Sequence, residues 1–182
     1  MSQMGFYYNF DNCTGCRTCQ VACKDVNNLD PGMLLREVHE IEAGRFPDPK
    51  AFFLSMSCNH CAEPKCAANC PTGAMAKDPA TGIVRHDDAT CIGCRMCVLS
   101  CPYGAPRFSE DLGIVKKCQF CVGAVEEGED PACVASCQLR VIEYGDIDEL
   151  RAKHGVAADT IGLPDSSITK PSIVITPHRS VG

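Results

Sequence analysis

Cysteine spacing constrains this chain more than any other feature. Residues 91–102 read Cys91-Ile92-Gly93-Cys94-Arg95-Met96-Cys97-Val98-Leu99-Ser100-Cys101-Pro102, a C-x2-C-x2-C-x3-C-P run. Three thiolates this close in sequence wrap one corner of an iron–sulfur cube, and the fourth, a turn later, points toward a neighbouring cluster. Pro102 stops a helix from running on, because the residue before a proline is pushed out of the α region. Three further runs repeat the theme: Cys13-x2-Cys16-x2-Cys19-x3-Cys23, Cys58-x2-Cys61-x4-Cys66-x3-Cys70-Pro71 and Cys118-x2-Cys121-x11-Cys133-x3-Cys137.

Two other uses of cysteine compete. Sixteen in 182 residues would suit a disulfide scaffold. That reading expects a signal peptide, whereas Met1 to Phe10 has no basic stretch leading into an apolar run, and it gives no reason for clustering in fours. Structural zinc takes four ligands, commonly two C-x2-4-C pairs. A third cysteine three residues on and a fourth four residues later crowd one tetrahedral ion but suit a cube with four iron corners. Soft thiolates accept either metal, so spacing decides.

The formal net charge of −6 becomes more negative once thiolates hold metal, which argues against a nucleic-acid partner. No apolar run approaches the length of a membrane span, so membrane contact is expected only through a partner.

In order along the chain, Phe6 to Phe10 is rich in strand-forming aromatics. Thr18 to about Asn27 reads as a short helix, ended by Asp30-Pro31-Gly32. Met33 to Ala43 fits strand and helix spacing alike. Gly44 to Lys50, with Pro47 and Pro49, reads as a loop, and Phe52 to Met56 as a strand. Thr72–Lys77 and Ile83–His86 read as two strands joined through Pro79 and Gly82. Tyr103 to Glu110 crosses to the fourth run, whose insert carries Glu126, Glu127, Glu129 and Asp130 as a solvated loop. Val141–Tyr144 is expected as a strand, and Asp146 with Glu149 as a capping box opening a helix to about His154. Residues 155–182 are expected as an extended tail, its apolar Ile173-Val174-Ile175 laid on a partner.

The runs alternate in type. Runs one and three share Cys-x-Gly-Cys-Arg-x-Cys, with Gly15 and Gly93 expected to let backbone approach a cluster. Runs two and four each carry a proline two residues before the third cysteine, Pro64 and Pro131. An A, B, A, B order is what an internal duplication leaves. Sixteen cysteines at four per cube give four [4Fe–4S] clusters with none left over. Runs one with two and three with four satisfy the rule that an A run partners a B run. So does a nested pairing of one with four and two with three.

Beyond the cysteines, the chain resembles the four-cluster electron-transfer subunits of molybdopterin oxidoreductases, above all the iron–sulfur (B) subunits of dimethyl sulfoxide reductases. The resemblance rests on Cys13-Thr14-Gly15-Cys16, Ser57-Cys58-Asn59-His60-Cys61, Cys91-Ile92-Gly93-Cys94-Arg95 and Cys101-Pro102-Tyr103-Gly104-Ala105-Pro106. It extends to Ile147-Asp148-Glu149-Leu150-Arg151 and Thr169-Lys170-Pro171, outside any metal motif. It implies an α+β fold of two bacterial dicluster-ferredoxin-like units, the central one (50–108) inserted into the outer one (1–49 and 109–150), with 151–182 a helix end and extended tail. It also implies nested ligation. One cube would be held by Cys13, Cys16, Cys19 and Cys137, and a second by Cys118, Cys121, Cys133 and Cys23. A third would take Cys58, Cys61, Cys66 and Cys101, and the fourth Cys91, Cys94, Cys97 and Cys70. Departing from the ferredoxin C-P pattern, Cys23 precedes Lys24 and Cys137 precedes Gln138.

The implied function is relay of single electrons between a quinol-oxidising membrane anchor and a large molybdopterin catalytic subunit. The complex would sit at a prokaryotic cytoplasmic membrane, on either side of it: exported with a twin-arginine partner, or cytoplasmic. The chain itself would not be catalytic, and it shows no G-x-G-x-x-G, P-loop, H-E-x-x-H or G-x-S-x-G. A polyferredoxin, or the equivalent subunit of a formate dehydrogenase or hydrogenase, is the alternative; the formate dehydrogenase reading is weakened by the lack of a C-terminal membrane helix. A redox-sensing module is a third, for which four cubes are excessive. Arg17, Lys24, Lys65, Arg95 and Lys117 lie beside ligands, where positive charge raises a local potential; His60, between two ligands, is placed to donate a hydrogen bond to a cluster.

Overall fold

A computed structural model describes residues 2–180. Its backbone is organised on a three-stranded sheet whose central strand is the first in the sequence. That strand, β1 (Met4–Asn9), pairs antiparallel with β8 (Ile142–Asp146) and parallel with β9 (Ile173–Thr176). Phe6, Tyr7 and Tyr8 are all buried, as expected where both faces of a central strand are covered and the apolar residues run continuously instead of alternating. Strand periodicity still sorts them. Tyr7 joins Ile147, Leu150 and Val174 on one face. Phe6 and Tyr8 turn to the main core with Phe52, Leu54, Phe120 and Ile175.

The face carrying Tyr7 is closed by α6 (Ile147–His154), whose N-cap Asp146 accepts a hydrogen bond from the Asp148 N–H at 2.9 Å. The other face packs on a long hairpin, β2 (Glu37–Arg45) and β3 (Asp48–Met56), in register from Glu37 opposite Met56 to Arg45 opposite Asp48. Proline content marks 44–50 as a loop, yet ladder pairing runs through Gly44 and Pro49 and the chain reverses at Phe46-Pro47. With only two strands, each has an outer edge whose N–H groups need no partner, so a proline is tolerated there.

Three short helices and the longer α1 (Thr18–Val26) carry the cysteine runs, with two short hairpins between them. The helices α1 and α5 (Ala132–Ala135) pack together, as do α2 (Lys65–Ala68) and α3 (Met96–Ser100). The hairpin β4 (Met75–Lys77) with β5 (Val84–His86) follows the expected pairing. The hairpin β6 (Arg107–Ser109) with β7 (Ile114–Lys116) replaces what reads as a plain crossing segment. A one-turn helix, α4 (Val122–Glu126), opens the insert of run four, while Glu126 to Asp130 are solvated as expected.

The C-terminal segment corrects its expectation most clearly. Val174 and Ile175 are buried, but by their own chain: β9 completes the sheet beside β1. The approach to β9 is strapped onto run two, with the Ala62 N–H donating to the Lys170 carbonyl at 2.7 Å and the Ser172 N–H to the Asn59 carbonyl at 2.9 Å. Past the strand, Arg179 holds the Asp11 carboxylate in a fork, Nε at 2.8 Å from Oδ2, which draws that carboxyl down to about 2. Among the described residues no helix is long and apolar enough to cross a membrane.

Candidate metal centres

The two A-type runs fold alike. Gly15 and Gly93 sit at φ 70° and 66°, and Arg17 and Arg95 then cap α1 and α3 in the same left-handed conformation, φ 61° and ψ 8°. The turn wraps the first two cysteines and hands the third, Cys19 or Cys97, to the buried side of the helix. The glycines also make room for other parts of the protein. A Cβ on Gly15 would stand 2.3 Å from the Phe53 ring, and one on Gly93 2.2 Å from the Gly113 carbonyl oxygen.

The B-type runs share a second device. His60 and Phe120, each one residue before the second cysteine of its run, are both left-handed, at φ 42° and 64°. Their rings meet edge to face with centroids 5.2 Å apart. Pro64 and Pro131 stand at the N-caps of α2 and α5, where a missing N–H removes nothing. Side chains as unlike as imidazole and phenyl hide this equivalence in the sequence; the backbone reveals it.

All sixteen cysteines are free thiols, and they gather in fours. One cavity is lined by Cys13, Cys16, Cys19 and Cys137. A second is lined by Cys23, Cys118, Cys121 and Cys133. A third is lined by Cys70, Cys91, Cys94 and Cys97. Each is walled by four thiols. Cys58, Cys61, Cys66 and Cys101 form the remaining group: the Cys66 thiol is pushed up to about 12, first by burial and then by Cys58, Cys101 and Cys61. A wider groove of about 490 Å³ beside Asp30, Glu37 and Arg107 carries no thiol. Among the described residues no three His, Cys, Asp or Glu side chains converge to hold a single ion.

Several of the buried thiols are poor acids until metal is bound. Burial raises Cys23 and Cys61 to about 11 and drives Cys118 higher still. Ligation therefore has to release protons. Cys16 is lowered, chiefly by the Thr18 hydroxyl at 3.4 Å. For Cys70 partial burial is outweighed by the Met75 N–H at 3.4 Å and the Thr72 hydroxyl. Other donors to sulfur are the Phe120 N–H on Cys118 at 3.4 Å and the Asn27 amide on Cys23 at 3.7 Å. Four soft donors around a closed space, with N–H and O–H groups aimed at sulfur, suit a [4Fe–4S] cube.

The basic residues that sequence places beside ligands divide sharply. Lys65 and Arg17 are exposed. Arg95 lies 3.7 Å over the Phe108 ring and pairs with Glu110 at 3.3 Å. Lys24 is spent on the Leu29 and Asp30 carbonyls. Lys117 alone is buried, 2% exposed, bonded to the Val84 and Cys118 carbonyls, and its charge opposes the upward shifts of both Cys118 and Cys66. Among the described residues His60 bonds to no cysteine sulfur. Its Nδ1 accepts the Val84 N–H at 3.1 Å and its Nε2 has no partner. Burial, with Lys117 and Lys77 behind it, holds the ring neutral.

Sequence reasoning missed Arg36. It belongs to no motif, yet it lines the cavity of Cys23, Cys118, Cys121 and Cys133. Burial works against its charge, but the Cys133, Cys19, Cys118 and Cys23 thiolates outweigh that and raise its affinity for the proton. Its neighbours in sequence, Leu35 and Glu37, gave no signal of its burial.

Comparison with known proteins agrees with this chemistry. Residues 49–147 match the family described as "4Fe-4S dicluster domain", and residues 4–25 match a "4Fe-4S binding domain". The sequence is 45% identical over 187 residues to the B chain of the anaerobic dimethyl sulfoxide reductase of Escherichia coli, covering 98% of this protein and 91% of that one. It is 41% identical over 188 residues to the corresponding B chain of Haemophilus influenzae, with the same coverage of 98% and 91%. To the B subunit of the sulfite dehydrogenase of Allochromatium vinosum it is 30% identical over 204 residues, covering 98% and 85%.

Proposed function

The chain belongs to the 4Fe-4S dicluster family that includes the B chains of anaerobic dimethyl sulfoxide reductases, and from that premise we propose that it relays single electrons through four [4Fe–4S] clusters to or from a molybdopterin catalytic subunit. It is an iron–sulfur electron-transfer subunit of an oxidoreductase complex and is not itself catalytic. The ligand sets are the nested ones: Cys13, Cys16, Cys19 and Cys137; Cys23, Cys118, Cys121 and Cys133; Cys58, Cys61, Cys66 and Cys101; Cys70, Cys91, Cys94 and Cys97.

One observation carries this reading: separate runs of the sequence contribute to a common cavity. Cys137 lies 118 residues past Cys19 and lines the same space. The pairing of α1 with α5 and of α2 with α3 supports a unit of residues 50–108 nested in a second, which β9 then closes. When bound, each cube takes up and gives back one electron with little change of shape.

The protein's own part is to set their order. Cys19 and Cys23, of the first and second sites, lie one turn apart on α1. Cys66 lies in α2 with Cys70 just past its end, and Cys97 lies in α3 with Cys101 capping it. In this reading the four sites follow one another in a row, and single electrons pass along it.

Ile92, Met96 and Leu99 expose apolar side chains beside the last site in the row, a surface of the kind that partners cover. We assign the partners as a large molybdopterin subunit and a membrane anchor with a quinol site, which places this chain at the periphery of a prokaryotic cytoplasmic membrane. Anaerobic isolation from the native source should yield about sixteen irons per chain, with matching acid-labile sulfide, in a fraction that also holds a large molybdenum protein. Zinc in place of iron would end the cluster assignment. A stable iron-loaded monomer would favour a polyferredoxin.

A further inference from the structure

Arg36 is a cation without a conventional counter-ion. It precedes β2, is 3% exposed, and takes part in none of the carboxylate ion pairs among the described residues. Its Nη1 donates to the Ser55 carbonyl at 3.3 Å and hydroxyl at 3.1 Å, and its Nη2 to the Ser57 hydroxyl at 2.9 Å. Its Nε is buried with no partner. The Phe6 ring lies beneath the guanidinium, 5.3 Å away. Neutral hydroxyls, a carbonyl and a phenyl face do not compensate a full charge removed from water, and such a charge persists only where anions balance it.

Two sets of thiols stand where those anions belong. Arg36 forms part of the wall around Cys23, Cys118, Cys121 and Cys133. On its other side Ser55 bridges it to the first group, with the Ser55 Oγ 3.3 Å from the Cys19 Sγ. We propose that Arg36 is a positioning residue for electron transfer, a permanent positive charge shared by the Cys13/Cys16/Cys19/Cys137 and Cys23/Cys118/Cys121/Cys133 sites that raises the reduction potential of both clusters. This rests on the reading of those sites as cube-binding.

The physical reason is direct. Reducing a cluster adds one negative charge, and a cation nearby in a medium of low dielectric stabilises the reduced form more than the oxidised one. An arginine keeps its charge when buried, whereas a lysine readily loses it. One charge acting on two neighbours raises both potentials together and leaves the gap between them little changed. The purely structural alternative makes Arg36 a fastener for Ser55 and Ser57 and predicts no effect on potential.

The test is redox titration of the intact complex under anaerobic conditions, followed by electron paramagnetic resonance, with iron and sulfide measured on every sample. In Arg36→Met the iron content should stay at the wild-type level. Two of the four clusters should become harder to reduce by at least tenfold in equilibrium constant, about 59 mV for one electron, and the other two should not move. Ser55→Ala should shift one cluster of the pair alone. If Arg36→Met loads poorly, Arg36→Gln, which keeps hydrogen-bonding capacity without the charge, gives the same reading. Fully loaded variants with all four potentials unmoved, or with all four moved alike, would overturn the proposal. A wild-type complex devoid of iron would overturn the cluster assignment instead, which is a separate result.

Discussion

Gly93 shows how much of a metal site can depend on a residue that touches no metal. Its φ of 66° is one that L side chains rarely adopt, and a Cβ there would collide with the backbone oxygen of Gly113, in the turn between β6 and β7. Backbone cannot swing aside as a side-chain tip can. Gly93→Ala should therefore destabilise by more than about 1 kcal/mol, and the loss should centre on one site. In the loaded protein we expect the resonance of the Cys70/Cys91/Cys94/Cys97 cluster to weaken while the other three persist. Gly15→Ala meets a side chain, the Phe53 ring, in place of backbone, and should be milder. The Cys-x-Gly-Cys-Arg pattern marks both glycines in the sequence, but which atoms they make room for is decided by segments far along the chain.

At the scale of elements, the C-terminal strand is the part that local reading placed least well. Ile173-Val174-Ile175 is recognisable as an apolar strand; that it lies parallel to β1 is not, because the partner is 167 residues away in register. Ile175 is 1% exposed among Phe6, Tyr8 and Phe52 in the main core. Ile175→Ala should lower stability by about 2–5 kcal/mol, read as the midpoint of anaerobic denaturation of the loaded protein. A tail that merely rested on a partner would leave that midpoint unchanged in the isolated subunit. The hairpin β6–β7 went unseen for a related reason: two three-residue strands carry almost no periodic signal. The helix Thr18–Val26, by contrast, was legible to within a residue, from its spacing and from the turn residues beyond it.

At the scale of the molecule, the cysteines take the place of a second hydrophobic core. The cluster around Met75, Val84 and Val115 is completed by Cys66 and Cys97, so its integrity depends on what those thiols hold. The sheet β8-β1-β9 rests on a larger apolar core in which aromatic and aliphatic side chains dominate. Removing iron with a chelator under mild oxidation should therefore unfold the chain unevenly, since binding free energy at such sites is folding free energy. Amide hydrogen exchange should rise first in β4–β5 and β6–β7 and last in β1. Uniform loss of protection would show that the chain unfolds as one cooperative whole.

The sequence by itself determined the chemistry: sixteen thiols in four short runs, their A and B types, and the want of any catalytic motif. These are local facts, carried by spacing, and a few residues suffice to read them. Tertiary structure alone decided which runs share a cavity, that the tail closes the first sheet, and that Arg36 and Lys117 are the buried charges while Arg95 and Lys24 are spent elsewhere. A side chain's neighbours depend on the packing of elements more than a hundred residues apart, and an arginine outside every motif carries no mark of its burial until the fold has closed around it.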